Sequence, residues 1–586
     1  MDLPSTGWQD KFPALLCSPE SLRANERIGA LGITSIVPPE ISSDDRAYLV
    51  DWLIETSKMF KLKPQSFFCA VNIMDAVLSR DATLIRTELQ LCGIASLWLS
   101  AKYHEIYPPE VNDMVFIADN NYAAEQIREA ERKIFKLLGC NINIAQEMSY
   151  HREMSTVCEA ALNSHQMGKY LLYVLALRGS RFLPSVVISA VRLLMANIYQ
   201  EKYVNYFEVP ENYVNICMAE ILFACRLARK GELKAYENIV IKRDKDEWAR
   251  VFDLVCEAKS PQAKEFSELA LLEYLRAGHF RSNLAIQLLD PSVIPKVSVK
   301  LGEGTFGIVK RVEYQGVMYA VKETIRVLEE EGIKPDFSRE VSLMQSLNHP
   351  NIAKMRHVTS DLKRIFMDLG VSDLFVWIQK NGPAGKEMQM EIARQMFTAL
   401  LYMHDMGCLH RDIKPQNIIV FLDDTTDGSA PFMRLVLSDL GAGRGGQVPI
   451  RMELFTREIC TLQYRSPELL LGASAYDDGL DTWSMLCTLY ECATGQILFH
   501  GNSEADQLRK IFRVLGTPDE QTWPDVSTLP DAKLILPEIP AAEAFFFDND
   551  ALSDCYKELL TLGLIMDPEQ RPRSRALLAI SWEYIS

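Results

Sequence analysis

The chain has 586 residues, 48% hydrophobic and 24% charged, which are globular values that exclude a largely disordered protein. A formal charge of −16 excludes a general nucleic-acid binder, because that role needs clustered lysine and arginine. The 13 cysteines are scattered without a CxxC pair, so buried thiols in a reducing compartment are expected, not a disulfide framework.

Three or four structural units are expected, at roughly 150 residues each. Residues 1–43 carry no basic start followed by an apolar run, so no leader peptide is expected. The most apolar stretch, 171–199, is interrupted by Arg178, Arg181 and Arg192 and never becomes a membrane span. A soluble chain of the cytoplasm or nucleus is the expectation.

From Asp44 to about Cys256 the apolar residues recur at helical spacing. Asp44 or Asp45 is expected to cap a helix running through Leu49, Leu53 and Phe60. A second helix is expected from Tyr122 to Gly139, with Ile127, Ala130, Ile134, Leu137 and Leu138 on one face and Gly139 as a left-handed stop. This half reads as all-α. Residues 258–296 form a connector with a helix at 262–277, broken by Pro291 and Pro295.

After Pro295 the texture becomes a meander of strands. It carries Gly302, Gly304 and Gly307, followed by Val309. A lone GxGxxG is weak, and here β-type sequence continues on both sides, which disfavours a strand-to-helix dinucleotide turn. A hairpin folding over phosphates is the alternative, with glycines admitting backbone amides to the anion. Tyr319-Ala320-Val321-Lys322 follows, and then a helix bearing Glu340 within reach of Lys322. His410-Arg411-Asp412-Ile413-Lys414-Pro415-Gln416-Asn417 and Ser438-Asp439-Leu440-Gly441 complete the series. Phosphoryl transfer asks for a carboxylate to orient the hydroxyl, a cation on the phosphates and oxygen ligands for Mg²⁺; these residues supply them in order.

Residues from about 297 to 586 resemble a eukaryotic protein kinase, and specifically a cyclin-dependent kinase. The specific stretches are 410–417, 456–468 and 498–504 running into DQLRKIFRVLGTPDE. The resemblance implies an α+β bilobal fold, with an N-lobe at 297–370 and a C-lobe at 371–586. It implies that Gly302, Gly304, Gly307, Val309 and Ala320 cover ATP and that Lys322, paired with Glu340, binds its phosphates. Met367 is then the gatekeeper, Asp368 and Leu369 lead the hinge, and Asp373 edges the ribose pocket. Asp412 is the catalytic base, Lys414 touches the γ-phosphate, and Asn417 and Asp439 hold Mg²⁺. Thr456 is the activation phosphosite, clamped by Arg339, Arg411 and Arg444. Ile459, Cys460 and Arg465 floor a proline-selecting substrate pocket. Phe306 replaces the inhibitory tyrosine of cell-cycle members, and Leu440 replaces a phenylalanine.

The stretch Arg46-Ala-Tyr-Leu-Val-Asp-Trp-Leu-Ile-Glu55, with Leu89–Gly93 and Ser100–Glu110, resembles a cyclin box. The boxes are placed at 44–145 and, as a weaker helical repeat, at 146–257. The resemblance implies that Lys102 and Glu131 grip the kinase beside its regulatory helix. It also implies that Arg46, Leu49, Trp52, Glu55 and Gln90 line a groove for Arg-x-Leu segments. The combined expectation is a multidomain, single-chain, proline-directed Ser/Thr kinase with a cell-cycle role. Its implied partners are Ser/Thr-Pro proteins, an upstream activating kinase and a small regulatory subunit, with no nucleic acid and no membrane. Two other readings remain open. One is a binding scaffold whose kinase half is inactive. The other is a cyclin half that docks elsewhere, since Ser338 stands where an apolar knob is usual.

Overall fold

A computed structural model describes residues 40–142 apart from 82, helical residues at 171–176 (apart from 174), 184–199 and scattered between 214 and 225, and residues 288–583 apart from 294–298, 305–306, 325–330, 424–431, 444–460, 474–475, 533–537 and 543–544. The expected connector helix at 262–277 lies outside the described residues.

The described part of the first half is helical. Helix α1 (Ser43–Met59) is capped by Ser42, not by Asp44 or Asp45. Ser42 Oγ accepts from the Asp45 amide at 3.1 Å, and the Asp45 carboxylate accepts from the Ser42 amide at 3.1 Å. Asp45 thus closes a capping box begun three residues earlier. Helix α2 (Pro64–Arg80) starts on a proline, whose missing N–H costs nothing in a first turn. Helix α3 (Leu89–His104) is buried almost all round, so it is the central helix, packed by α2 and by α5. After α4 (Val111–Ile117), α5 (Ala124–Leu137) buries Ile127, Glu131, Ile134 and Phe135. Gly139 and Cys140 then turn the chain with φ of 66° and 59°. Helix α6 (Pro184–Tyr199) is the longest described element of the following segment.

The second half opens on a six-stranded sheet in the order β1-β5-β6-β4-β3-β2. Its strands are β1 (Leu288–Leu289), β2 (Val299–Gly304), β3 (Gly307–Tyr314), β4 (Val317–Glu323), β5 (Met355–Thr359) and β6 (Arg364–Asp368). Strand β1 pairs in parallel with Val358 and Thr359. Residues 288–289, which the sequence reading left in the connector, therefore belong to this sheet; two residues give no alternation to read. Helix α7 (Pro335–Ser346) lies between β4 and β5 in sequence. A second sheet, β7 (Ser372–Asp373), β8 (Ile418–Asp423) and β9 (Phe432–Leu437), sits on the helical lobe. That lobe is built on α8 (Leu374–Asn381), α9 (Lys386–Asp405), α10 (Pro467–Leu470), α11 (Gly479–Thr494), α12 (Glu504–Leu515), α13 (Asp554–Gly563) and α14 (Ser574–Glu583).

The two halves meet where α7 packs on α3. One hydrophobic cluster runs from Phe135 and Ile142 into Ile333, Phe337 and Val341, so apolar burial joins the halves. No helix among the described residues is long and apolar enough to cross a membrane.

Candidate active site

The antiparallel register of β3, β4 and β6 sets the upper wall. Val309 lies opposite Lys322, and Ala320 opposite Met367. Gly304 pairs with Gly307 at the β2–β3 turn. A Cβ on Gly307 would stand 2.6 Å from the Glu323 carbonyl, so that close strand crossing requires glycine. Lys322 Nζ lies 2.8 Å from both oxygens of Glu340 and 2.7 Å from Asp439 Oδ1. Burial pulls the Lys322 ammonium down, but Glu340 and Asp439 outweigh it and hold the ammonium above its ordinary value. Burial would raise the Asp439 carboxyl, and Lys322 outweighs it, so this carboxyl stays below the usual range. Asp368 forms a bidentate pair with Arg356 at 2.7–2.8 Å, while the adjoining Leu369 is half-buried. Asp373 caps α8 by accepting from the Val376 amide at 2.8 Å.

Below this wall lies the loop 410–417. Asp412 Oδ2 accepts from Lys414 Nζ at 2.8 Å and from Asn417 Nδ2 at 3.1 Å. Asn417 Nδ2 also donates to the Asp412 carbonyl at 2.7 Å. The amide nitrogen of Asn417 is therefore spent inside the loop, which leaves its oxygen as the donor for a hard cation. Asp439 supplies a second oxygen, and a site of one carboxylate and one amide suits Mg²⁺, which keeps waters and phosphate oxygens as its other ligands. Arg411 and Asp439 both sit in the left-handed region, with φ of 68° and 61°. Strained backbone of this kind persists where surrounding contacts over-determine it.

Those contacts include residues that the sequence reading passed over. Thr461 Oγ1 donates to Asp412 Oδ1 at 3.0 Å and accepts from Lys414 Nζ at 2.9 Å. Asp481 is fully buried and accepts from the amides of His410 and Arg411, each at 2.8 Å. Burial would raise its carboxyl, but His404 outweighs this and keeps it below the usual range. His410 Nε2 donates to the Ser438 carbonyl at 2.9 Å and so ties the loop to Asp439. Glu468 and Arg571 form a buried bidentate pair at 2.8–2.9 Å. Thr461 stood within a quoted motif; Asp481 lies some seventy positions beyond its partners and gave no local signal.

The cyclin-like half reaches the same helix α7. Lys102 Nζ lies 2.6 Å from Glu131 Oε1, donates to the Glu331 carbonyl at 2.7 Å and sits 3.2 Å over the Trp98 ring. Glu131 Oε2 accepts from the Ile333 amide at 2.9 Å. Both side chains are buried; burial pulls the Lys102 ammonium down and pushes the Glu131 carboxyl up, and each partner opposes the shift in the other. Arg339 donates to the carbonyls of Lys102, Tyr103 and Glu105 at 2.8–3.2 Å. They lie in the last turn and at the C-cap of α3, where a cation also meets the negative end of the helix dipole. Ile142 N donates to Ser342 Oγ at 3.2 Å. Ser338 is fully buried and its hydroxyl donates to the Pro335 carbonyl at 2.9 Å.

Thr456, Arg444, Ile459, Cys460 and Phe306 lie outside the described residues. Arg339 faces α3, and Arg411 donates to the Ala442 carbonyl and to Tyr476 Oη, each at 2.9 Å. Arg465 is buried and paired with Glu504 at 2.6 Å. On α1, Arg46 is buried. Its guanidinium is turned inward onto both Asp75 oxygens at 2.7 Å and the Ala176 carbonyl at 3.0 Å, because a buried arginine must satisfy its fork. Leu49 is buried against Gly93, Trp52 and Gln90 are half-buried, and Glu55 is exposed.

Two domain families match the chain. Residues 296–583 match the protein kinase domain, and residues 32–143 match the cyclin N-terminal domain. The chain therefore joins a cyclin N-terminal domain to a protein kinase domain in a single polypeptide.

Proposed function

We propose that the chain is an ATP-dependent, proline-directed Ser/Thr kinase of the cyclin-dependent type, activated in cis by its cyclin half and acting in cell-cycle control. The observation that carries this reading is the contact of Lys102 and Glu131 with Glu331 and Ile333, just ahead of the helix whose Glu340 pairs with Lys322. Holding that segment holds α7 inward, which biases the Lys322–Glu340 pair toward its closed form. Residues 146–257 are read as a second cyclin-like repeat.

In the reaction, Asp412 accepts the proton of the substrate hydroxyl. Lys414 and Lys322 face the transferring phosphates, and the hairpin of Gly302, Gly304 and Gly307 covers them. Asp439 and Asn417 would hold Mg²⁺, which when bound neutralises charge on the phosphate oxygens. Phosphate on Thr456 would be clamped by Arg339, Arg411 and Arg444. The test is the purified whole chain on a Ser-Pro peptide library, against the double variant Lys102→Ala, Glu131→Ala. Activity on Ser-Pro peptides that falls at least tenfold in the variant supports the reading. Full activity in the variant, or no preference for proline, sinks it.

A further inference from the structure

The sheet of the kinase half meets its helical lobe at the hinge, residues 369–371, which run from β6 to β7. It meets that lobe again at residues 351–353. There Leu437 N donates to the Asn351 carbonyl and Ala353 N to the Leu437 carbonyl, each at 2.8 Å. Between the two crossings lie Phe421 of β8 and Arg434 of β9, to which the catalytic cluster gives no role.

Strand β8 alternates in burial. Ile418 and Val420 are fully buried, while Ile419 and Phe421 are half-buried on the opposite pleat. Gly370 lies against that pleat. A Cβ on it would stand 2.3 Å from Ile419 Cγ2, 2.7 Å from the Val420 carbonyl oxygen and 3.3 Å from Phe421 Cε2. Gly370 is not among the glycines with positive φ, so crowding alone excludes a side chain there. Ile419 yields little, because a β-branched side chain is stiff at χ1. The next residue fixes the approach. Val371 N donates to the Val420 carbonyl at 2.8 Å, and the Val371 side chain is exposed.

The Phe421 ring is held in its turn. The Arg434 guanidinium lies 4.6 Å from the ring centroid, within cation–π distance. Arg434 also pairs with both Asp423 oxygens, and its Nη1 donates to the Pro350 carbonyl at 3.1 Å. A continuous stack therefore runs from the hinge through Phe421 and Arg434 to the residue just ahead of the second crossing.

We infer that Phe421, clamped by Arg434, is a positioning residue for nucleotide binding. Gly370 rests on Phe421 and β8, and this seat sets how far the hinge stands from β8, hence the width of the slot for the nucleotide base. A hinge residue bearing a side chain would ride higher, and the slot would lose its fit. The inference rests on reading the cleft beneath Val309, Ala320 and Met367 as the nucleotide site.

The test is calorimetric titration of the whole chain with a non-hydrolysable ATP analogue and Mg²⁺. Saturable binding by the wild type is expected. Gly370→Ala should weaken it about tenfold and Phe421→Ala about fivefold, since one lifts the hinge and the other leaves a hole beneath it. Arg434→Gln should weaken it about threefold through loss of the cation on the ring. Phe421→Leu keeps most of the bulk and should recover most of the loss seen in Phe421→Ala. Leu422→Ala, at an exposed position of the same strand, should leave the dissociation constant unchanged. A merely destabilised chain would lose binding stoichiometry, not affinity. Phe421→Ala only removes atoms, so it carries the test if Gly370→Ala does not fold. Unchanged affinity in Gly370→Ala or Phe421→Ala overturns the seat, as does a loss that Phe421→Leu fails to recover; unchanged affinity in Arg434→Gln overturns the clamp. Absence of binding by the wild type overturns the nucleotide reading together with the inference, whereas binding that all variants share overturns the inference alone.

Discussion

Gly332 offers the sharpest test of how the two halves are held. It has a φ of +66°, and a Cβ there would stand 2.2 Å from Glu131 Oε2, 3.1 Å from the Trp98 ring and 3.2 Å from Lys102 Nζ. Gly332→Ala therefore brings two penalties. The left-handed backbone costs an L-residue about 1–2 kcal/mol. The methyl group also drives the Glu131 carboxylate off Lys102 and off the Ile333 amide, and spoiling a buried pair costs about 3–5 kcal/mol. Even at the lower end of that sum, about 4 kcal/mol, docking weakens roughly a thousandfold. The tether, at an effective concentration on the order of millimolar, recovers part of that loss. Peptide phosphorylation by the whole chain should fall, and hydrogen exchange in α7 should accelerate. In a Glu131→Ala background the same glycine change should add only the backbone strain of about 1–2 kcal/mol. A Gly332→Ala chain within about twofold of wild type in turnover, with unchanged exchange in α7, would refute the reasoning.

Three further outcomes follow from the catalytic lobe. Asp412→Asn should lower transfer at least about a hundredfold while nucleotide still binds, whereas Asp439→Asn should raise the Mg²⁺ concentration needed; equal defects in both would show that the roles are misassigned. Thr461→Val removes the hydroxyl between Asp412 and Lys414, a charge-assisted contact worth about 1.5–3 kcal/mol, so kcat should drop tenfold or more and Thr461→Ser should restore it. Burial lowers the His404 imidazole, but Asp481 and Asp478 outweigh it and leave it above its ordinary value. Its charged form therefore contributes stability that is fully present below the unfolded value of about 6.5 and is lost as pH rises through the folded one. The melting-temperature gap between wild type and His404→Gln should accordingly be widest at about pH 6 and below and narrow as the pH rises through the folded value; a gap that widens with pH would contradict this.

What could be read from the sequence was whatever sits in one short stretch. Asp412, Lys414 and Asn417 fall within six positions, so the loop's own spacing announces them. The strand register that sets Lys322 opposite Val309 follows from alternation and a tight turn at Gln315-Gly316. What could not be read depends on partners remote in the chain. Asp481 reaches back to the amides of His410 and Arg411, and an aspartate early in a helix looks the same whether it faces water or a loop. Arg46 matched a groove position by its neighbours, yet Asp75 and Ala176 decide where its guanidinium goes. By its own spacing Glu131 is one more charge on an amphipathic helix, and only the resemblance singles it out; the approach of Ile333 explains why its carboxylate is fully buried.

The two-residue strand β1 has a consequence for how such a chain ages. Ser360 N donates to the Leu289 carbonyl at 2.8 Å, so the connector is fastened to the sheet at its far end. A protease that cut the connector between residues 258 and 287 would leave this clip in place. The union of the halves would then pass from a unimolecular to a bimolecular equilibrium, and specific activity, independent of dilution in the intact chain, would fall as the nicked protein is diluted.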